Sequence, residues 1–301
     1  MKDVSNKIKT QRTATAEASV SASPEAIAAA KAGNTPKGAV WDIARAAGVL
    51  AAKRTAELIP YCHQIPLDHI EINFEPTDSA IKIRAVVKAI WKTGVEMEAL
   101  TAVSMAALTV YDMLKPIDNG VKISDLRLVE KKGGKSDFQT DLPKEFTAAV
   151  IVTSDSVSKG SKDDKSGRLI VERLKCYGVD VKTYLVLPDE KDQIIRTIKA
   201  AVKEGVHLIV TTGGTGLGPR DVTVEAIKEI IEREAPGISE AVHSFGQQRT
   251  PYAMLSRGIA GTIGKTLIIT LPGSSRGVKE SLDAIFPYIF HIYPMLEGKG
   301  H

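Results

Sequence analysis

The sequence predicts two domains in succession, an α+β domain up to about Asp141 and an α/β domain from about Leu142. Three observations carry this. The 301 residues, 43% of them hydrophobic, suffice for two cores. Amphipathic helices mixed with alternating apolar and polar stretches fill the first half, whereas strand and helix patterns alternate regularly through the second. Between them a Gly/Lys/Ser-rich run, KKGGKSDF, passes through QTDLPKEF into a new apolar strand at Thr147.

In the first half Ser23-Pro24-Glu25 reads as an N-cap with proline at the first helical position, and Gly33 closes that short helix. A longer alanine-rich helix is expected from about Gly38 to Ile59, stopped by Pro60. His69 to Glu75 and Ile81 to Trp91 alternate as a half-buried hairpin. A helix from about Val95 to Leu114 ends before Pro116. In the second half the expected order is strand 148–152, helix 168–177, strand 181–187, helix 191–203, strand 207–211, helix 224–232, strand 267–271 and helix 278–293. That alternation predicts a parallel sheet whose ligands bind at the carboxyl ends of its strands.

Composition excludes several classes. A net charge of +4, without a strong basic excess in either half, argues against nucleic acid. No uninterrupted apolar run suggests a membrane span, and the polar, basic start lacks an apolar segment behind it, so a cytoplasmic protein is expected. The two cysteines, Cys62 and Cys176, lie far apart and support neither a disulfide framework nor a thiolate zinc site.

Ionisable residues gather in the first half. Asp112 and Lys115 are three apart on one helix face, Glu96 and Glu98 open the same helix, and His63 follows a helix-stopping proline. Each alone is compatible with a helix-end ion pair, a favourable dipole contact or a loop histidine. In the second half Thr211-Thr-Gly213-Gly214-Thr215-Gly216-Leu-Gly218-Pro-Arg220-Asp221-Val-Thr223 follows an apolar strand. Such glycines let backbone N–H groups converge on an anion, and Asp221 beside them suggests a bridging divalent cation. Gly264-Lys265-Thr266 is no P-loop, because Ile259 stands where the earlier glycine is required, and the GxGxG run lacks the third glycine of a dinucleotide fingerprint. NAD is therefore not expected, nor are flavin or zinc.

The strings Asp3-Val4-Ser5, Ala51-Ala-Lys53-Arg54-Thr55, Leu58-Ile-Pro-Tyr-Cys62-His63, KTGVEMEALT from Lys92, ALTVYDM from Ala107 with Lys115, and Lys131-Lys-Gly-Gly-Lys135-Ser136 recur together. On these the first half resembles the MoaC family, the cyclic pyranopterin monophosphate synthases. The resemblance implies a ferredoxin-like α+β fold and conversion of the GTP-derived 3',8-cyclo-7,8-dihydro-GTP into cyclic pyranopterin monophosphate with loss of pyrophosphate. By the same match Arg12, Lys37, Lys53 and Lys131 would contact phosphate and substrate, as would Cys62, His63, Glu96, Met97 and Glu98. Asp112 and Lys115 would form the acid–base pair. Gln64 departs from the usual proline, and a start at Asp3-Val4-Ser5 would leave Arg12 on a less anchored arm. Glu98 and Asp112 lie roughly 21 Å apart along one helix at about 1.5 Å per residue, so shared sites in an obligate oligomer are expected.

The second half resembles the MoaB/MogA family through Val152-Thr-Ser154-Asp155-Ser156, Asp164-Lys-Ser166-Gly167, Leu187-Pro188-Asp189-Glu190, TTGGTG with PRDVT, Met254-Leu-Ser256-Arg257 and Leu271-Pro272-Gly273-Ser274. A three-layer α/β sandwich in a trimeric or hexameric homo-oligomer is implied, with ATP and molybdopterin as ligands. Asp189 and Asp221 would hold Mg²⁺ and act in adenylyl transfer. Gly213, Gly214, Thr215 and Gly216 would cradle a phosphate, with Asp155, Ser166, Pro272, Gly273, Ser274 and Ser275 lining the nucleotide and pterin pocket. The alternative for this half is a non-catalytic pterin-binding or assembly module.

Overall fold

A computed structural model describes residues 1–143 and 145–298 and divides the chain into two compact units, Met1–Phe138 and Gln139–His301. In the first, strand β1 (Thr10–Ser21) leads into helices α1 (Pro24–Ala32), α2 (Val40–Lys53) and the single turn α3 (Thr55–Leu58). The hairpin β2 (His69–Pro76) and β3 (Ala80–Trp91) follows, then α4 (Glu96–Leu114) and β4 (Lys122–Lys132). The four strands lie in the order β2-β3-β1-β4, every neighbouring pair antiparallel, which is the expected ferredoxin-like arrangement.

Two of these strands are not announced by the pattern. The inward positions of β1 are Ala14, Ala16, Ala18 and Val20, and alanine is a helix former whose small size here lets Ala99, Ala102 and Ala106 of α4 pack closely. Along most of its length β4 is exposed and charged, as an edge strand must be, and it bulges against β1 near Asp125, which has φ 54°. Arg12 is not on a loose arm: it lies within β1 opposite Ala89, and its Nε donates to the Trp91 carbonyl at 3.3 Å. Sheet hydrogen bonding therefore anchors it. The expected continuous helix to Ile59 breaks at Arg54, where the buried Thr55 hydroxyl donates to the Ala51 and Ala52 carbonyls at 3.3 and 2.9 Å.

Among the described residues α4 is the one helix long and apolar enough to cross a membrane, yet half of it is buried, with Ala99, Val103, Ala106 and Val110 inside the core. Its two ends are tied to opposite ends of the α2–α3 segment. Lys37, before α2, meets Asp112, while Cys62, after α3, meets Glu98.

The second unit runs β5 (Thr147–Thr153), α5 (Asp155–Ser158), α6 (Ser166–Lys175), β6 (Asp180–Leu187), α7 (Lys191–Lys203), β7 (Leu208–Thr212) and α8 (Thr223–Ile230). It continues with β8 (Arg233–Glu234), α9 (Pro236–Gln247), β9 (Ala260–Ile263), β10 (Thr266–Leu271), α10 (Ser275–Ile285) and α11 (Ile292–Leu296). Strand order is β6-β5-β7-β10-β9-β8. The first four are parallel, but β9 is reversed and pairs antiparallel with both β10 and β8, so the sheet is mixed where a parallel one is expected. The cause is local: the two-residue turn Gly264-Lys265 folds β9 back on β10.

Ala149 and Ile151 of β5 pack with Ile194 and Ile198 of α7 and Ile227 of α8 on one face. Strand alternation turns Val150 and Val152 to the other, where α6 and α10 lie, giving three layers. The last expected helix divides because Pro287 follows Phe286.

Candidate active sites

In the first unit the candidate residues form two groups, one at each end of α4. At the C-terminal end Asp112 accepts from Lys37 Nζ at 2.6 Å and from Lys115 Nζ at 2.8 Å. The two ammonium groups hold its carboxyl down at about 2, Lys115 contributing most, and Asp112 in turn raises Lys115. This end is solvent-exposed, carries fixed charge of both signs, and offers two lysines to an anion.

At the N-terminal end a cleft of about 480 Å³ is bordered by Cys62, His63, Glu96 and Met97, with Lys2 and Lys7 from the chain start. His63 Nε2 donates to the Lys2 carbonyl at 2.8 Å, and Lys131 of β4 pairs with Glu96 at 3.3 Å. Beneath them Glu98 is only 2% exposed, and its Oε2 has no hydrogen-bond partner. Burial, and then the charge of Glu96, pushes the Glu98 carboxyl up to about 7. The Cys62 thiol, which donates to Glu98 Oε1 at 3.9 Å, is raised as well, by burial and then by Glu98. Arg12 approaches this end through its bonds to Trp91 and Lys92. Lys53 closes α2 on the same side, exposed. Lys37, Asp112 and Lys115 are not brought to this cleft within one chain.

In the second unit a cavity of about 660 Å³ opens where β5, β6, β7 and β10 end. Gly213, at φ 100°, is obligatory there, because a Cβ would fall 2.1 Å from the Thr153 carbonyl oxygen. Asp155 and Asp189 clasp each other: Asp155 N–H donates to Asp189 Oδ2 at 3.0 Å and Asp189 N–H to Asp155 Oδ1 at 3.2 Å. Asp189 Oδ1 is buried and unpartnered, and burial followed by the charges of Asp155 and Asp221 raises its carboxyl. Asp155 is lowered instead, chiefly by Arg220, whose Nε and Nη2 each donate to it at 3.0 Å. Asp221 Oδ2 accepts from Gly218 N–H at 2.8 Å.

Of the residues expected here, Ser166, Asp189, Gly213, Gly214, Asp221, Gly273, Ser274 and Ser275 line this cavity. Thr215 and Gly216 do not. Thr215 is buried, and Arg257 donates to the carbonyl oxygens of Gly216 at 2.7 Å and Asp221 at 2.9 Å, so this guanidinium secures the loop from behind. Asp155 also stands outside, occupied by Arg220, and Pro272 borders a neighbouring cavity. Lys162, Asp163 and Lys165 line the first cavity without being singled out by the sequence, since a short polar loop carries no spacing signal. Among the described residues no group of three His, Cys, Asp or Glu side chains is placed to hold a metal.

Comparison with known proteins separates the same two halves. Residues 1–134 match the MoaC family, and residues 149–291 match a family described as a probable molybdopterin binding domain. A protein of Chlorobaculum tepidum named molybdenum cofactor biosynthesis bifunctional protein is 45% identical over all of this chain and 96% of its own length. This chain belongs to the bifunctional molybdenum cofactor biosynthesis proteins. A bifunctional relative from Synechococcus elongatus is 39% identical over all of the chain and 98% of its own length. The first half is also 50% identical to a cyclic pyranopterin monophosphate synthase of Thermomicrobium roseum, a match covering 45% of this chain and 83% of that protein. The bifunctional chain thus joins a MoaC-type domain to a molybdopterin-handling one, and the charge clusters described above fall one set in each.

Proposed function

We propose that the first unit converts 3',8-cyclo-7,8-dihydro-GTP into cyclic pyranopterin monophosphate and pyrophosphate, and that the second transfers an adenylyl group from ATP to the terminal phosphate of molybdopterin, breaking the α–β bond of ATP and releasing pyrophosphate. For the first reaction, a polyphosphate needs several cations, which Lys37, Lys53 and Lys131 with Arg12 would supply. Asp112 enters ionised and Lys115 protonated, so the pair begins with the amine as proton donor and the carboxylate as its orienting partner.

The observation that carries the second reading is the unpartnered, buried Oδ1 of Asp189 beside Gly214, with Asp221 near by. Two carboxylates and substrate phosphates are the oxygen-rich set that suits Mg²⁺, so Asp189 and Asp221 would hold that ion. When bound it offsets charge on the phosphates. The Gly213 N–H is taken by the Leu271 carbonyl at 3.3 Å, so Gly214 would receive a phosphate against its backbone N–H, and Ser166 would border it, its hydroxyl held by the Gly273 carbonyl at 2.8 Å. The test is an assay of the full chain with molybdopterin, ATP and Mg²⁺. Asp221→Asn keeps the size and removes the charge, and should lower adenylylation by about 10²-fold or more while molybdopterin binding persists. Full Mg²⁺-dependent activity in Asp221→Asn refutes the metal role. No activity in the wild type makes the unit a pterin-binding or assembly module.

A further inference from the structure

Asp221 is carried by a glycine-rich turn that is folded around its carboxylate. Its Oδ2 accepts from Gly218 N–H at 2.8 Å, while its own N–H donates to the Gly218 carbonyl at 3.0 Å. A Cβ on Gly216 or on Gly218 would fall 2.8 Å from that same Oδ2, so a side chain at either position would displace the carboxylate. Glycine is needed at these two positions for space rather than for φ, which is not left-handed at either.

One side chain from elsewhere in the unit grips both ends of the turn. Arg257 Nε donates to the Gly216 carbonyl at 2.7 Å and Nη2 to the Asp221 carbonyl at 2.9 Å. Its Nη1 pairs with Glu225 in the first turn of α8, and its backbone N–H donates to the Thr215 carbonyl at 3.0 Å. All three guanidinium nitrogens are thus engaged, two of them on carbonyls that a compact ammonium would not bridge. Arg257 does not itself line the cavity, so it acts on a ligand there through the turn. We propose that Arg257 is a positioning residue, which by fixing both carbonyls holds the Asp221 carboxylate at the cavity that Asp189 also lines, where the two can share one divalent cation. The inference rests on reading Asp189 and Asp221 as the groups that hold Mg²⁺.

The full chain is titrated calorimetrically with the Mn²⁺ complex of pyrophosphate, Mn²⁺ taking the same oxygen ligands as Mg²⁺. Arg257→Gln should weaken binding about tenfold or more, as loss of a group that orients a metal-holding carboxylate does. Arg257→Lys keeps the charge and loses the fork, and should weaken binding about threefold or more. The decisive measurement is the double variant. If Arg257 acts through Asp221, then Arg257→Gln combined with Asp221→Asn should bind within about twofold of Asp221→Asn alone. A purely structural arginine, or one that merely supplies positive charge, would add its own loss to that of Asp221→Asn, and additive losses overturn the proposal. Wild-type affinity in Arg257→Lys also overturns it, since charge alone would then suffice. Should Arg257→Gln not fold, Arg257→Lys takes its place in the double variant. Asp221→Asn that binds as the wild type does, or a wild-type chain that does not bind the complex, removes the metal reading and the proposal with it. Loss in Asp221→Asn that neither Arg257 variant shares overturns the proposal alone.

Discussion

A buried carboxyl with an unpaired oxygen is expensive to ionise, and Glu98 is such a group. Its ordinary value of 4.5 rises to about 7 in the folded unit, so the folded state holds a proton that the unfolded chain has released. The stability it contributes is complete below about pH 4.5 and is lost as pH rises through about 7, a loss of up to ~3 kcal/mol. Glu98→Gln, which cannot ionise, should flatten that part of the stability curve. Denaturant midpoints of the two proteins at pH 5 and pH 8 check this, and equal slopes would show that Glu98 is not held neutral. Asp112, at the other end of the same helix, has the opposite character: two lysines keep it charged down to about 2. The two carboxyls thus differ in charge over the acidic range, Glu98 largely protonated below about 7 and Asp112 ionised above about 2.

At the scale of elements, the loop between β7 and α8 is where backbone geometry and chemistry coincide. Gly213→Ala would combine left-handed strain with a Cβ 2.1 Å from the Thr153 carbonyl oxygen, backbone that cannot step aside. Gly178 has φ 74° and open space around it. Gly178→Ala should therefore cost only about 1 kcal/mol, and Gly213→Ala at least about 2 kcal/mol more, with phosphate binding lost. Unfolding midpoints and pyrophosphate titration of the two variants provide the check; equal costs would mean that the loop yields.

Much at this scale is legible in the sequence. Alternation marks β3, Pro116 ends α4, Ser23 and Gly33 bound α1, and the glycine run lies at the end of β7 where it is expected. What escapes has physical reasons. The alanines of β1 look helical because local propensity cannot register the packing of α4 on them. In α9 the Pro236-Gly237 start hides a helix. The Lys37–Asp112 contact spans 75 residues, and only the folded chain brings its partners together.

The largest scale is the assembly, and α4 gives the reason to expect one. It is 19 residues long, with Glu98 near one end and Asp112 near the other, roughly 21 Å apart along the axis. No single small substrate bridges that distance. The outer face of the helical layer is nevertheless apolar, with Ile43 and Leu50 of α2 and Met97, Leu108 and Tyr111 of α4 all more than a third exposed. Such a patch marks a contact surface. If a second copy docks there about a two-fold axis crossing α4, the two helices run antiparallel. The Glu98 cleft of each copy then faces the Lys37–Asp112–Lys115 group of the other. Catalysis by shared sites follows, and with it a specific genetic signature. Glu98→Gln and Asp112→Asn should each be inactive in cyclic pyranopterin monophosphate formation when pure. Mixed under conditions where subunits exchange, they should regain activity, because a hybrid dimer keeps one site with both native groups. At equal concentrations about half of the dimers are hybrid and each carries one intact site of two, so recovery should approach a quarter of the wild-type rate. Exchange is followed by native mass spectrometry of a tagged copy. Hybrids that form but stay inactive at every mixing ratio would place the whole site within one subunit and leave the apolar face to another purpose.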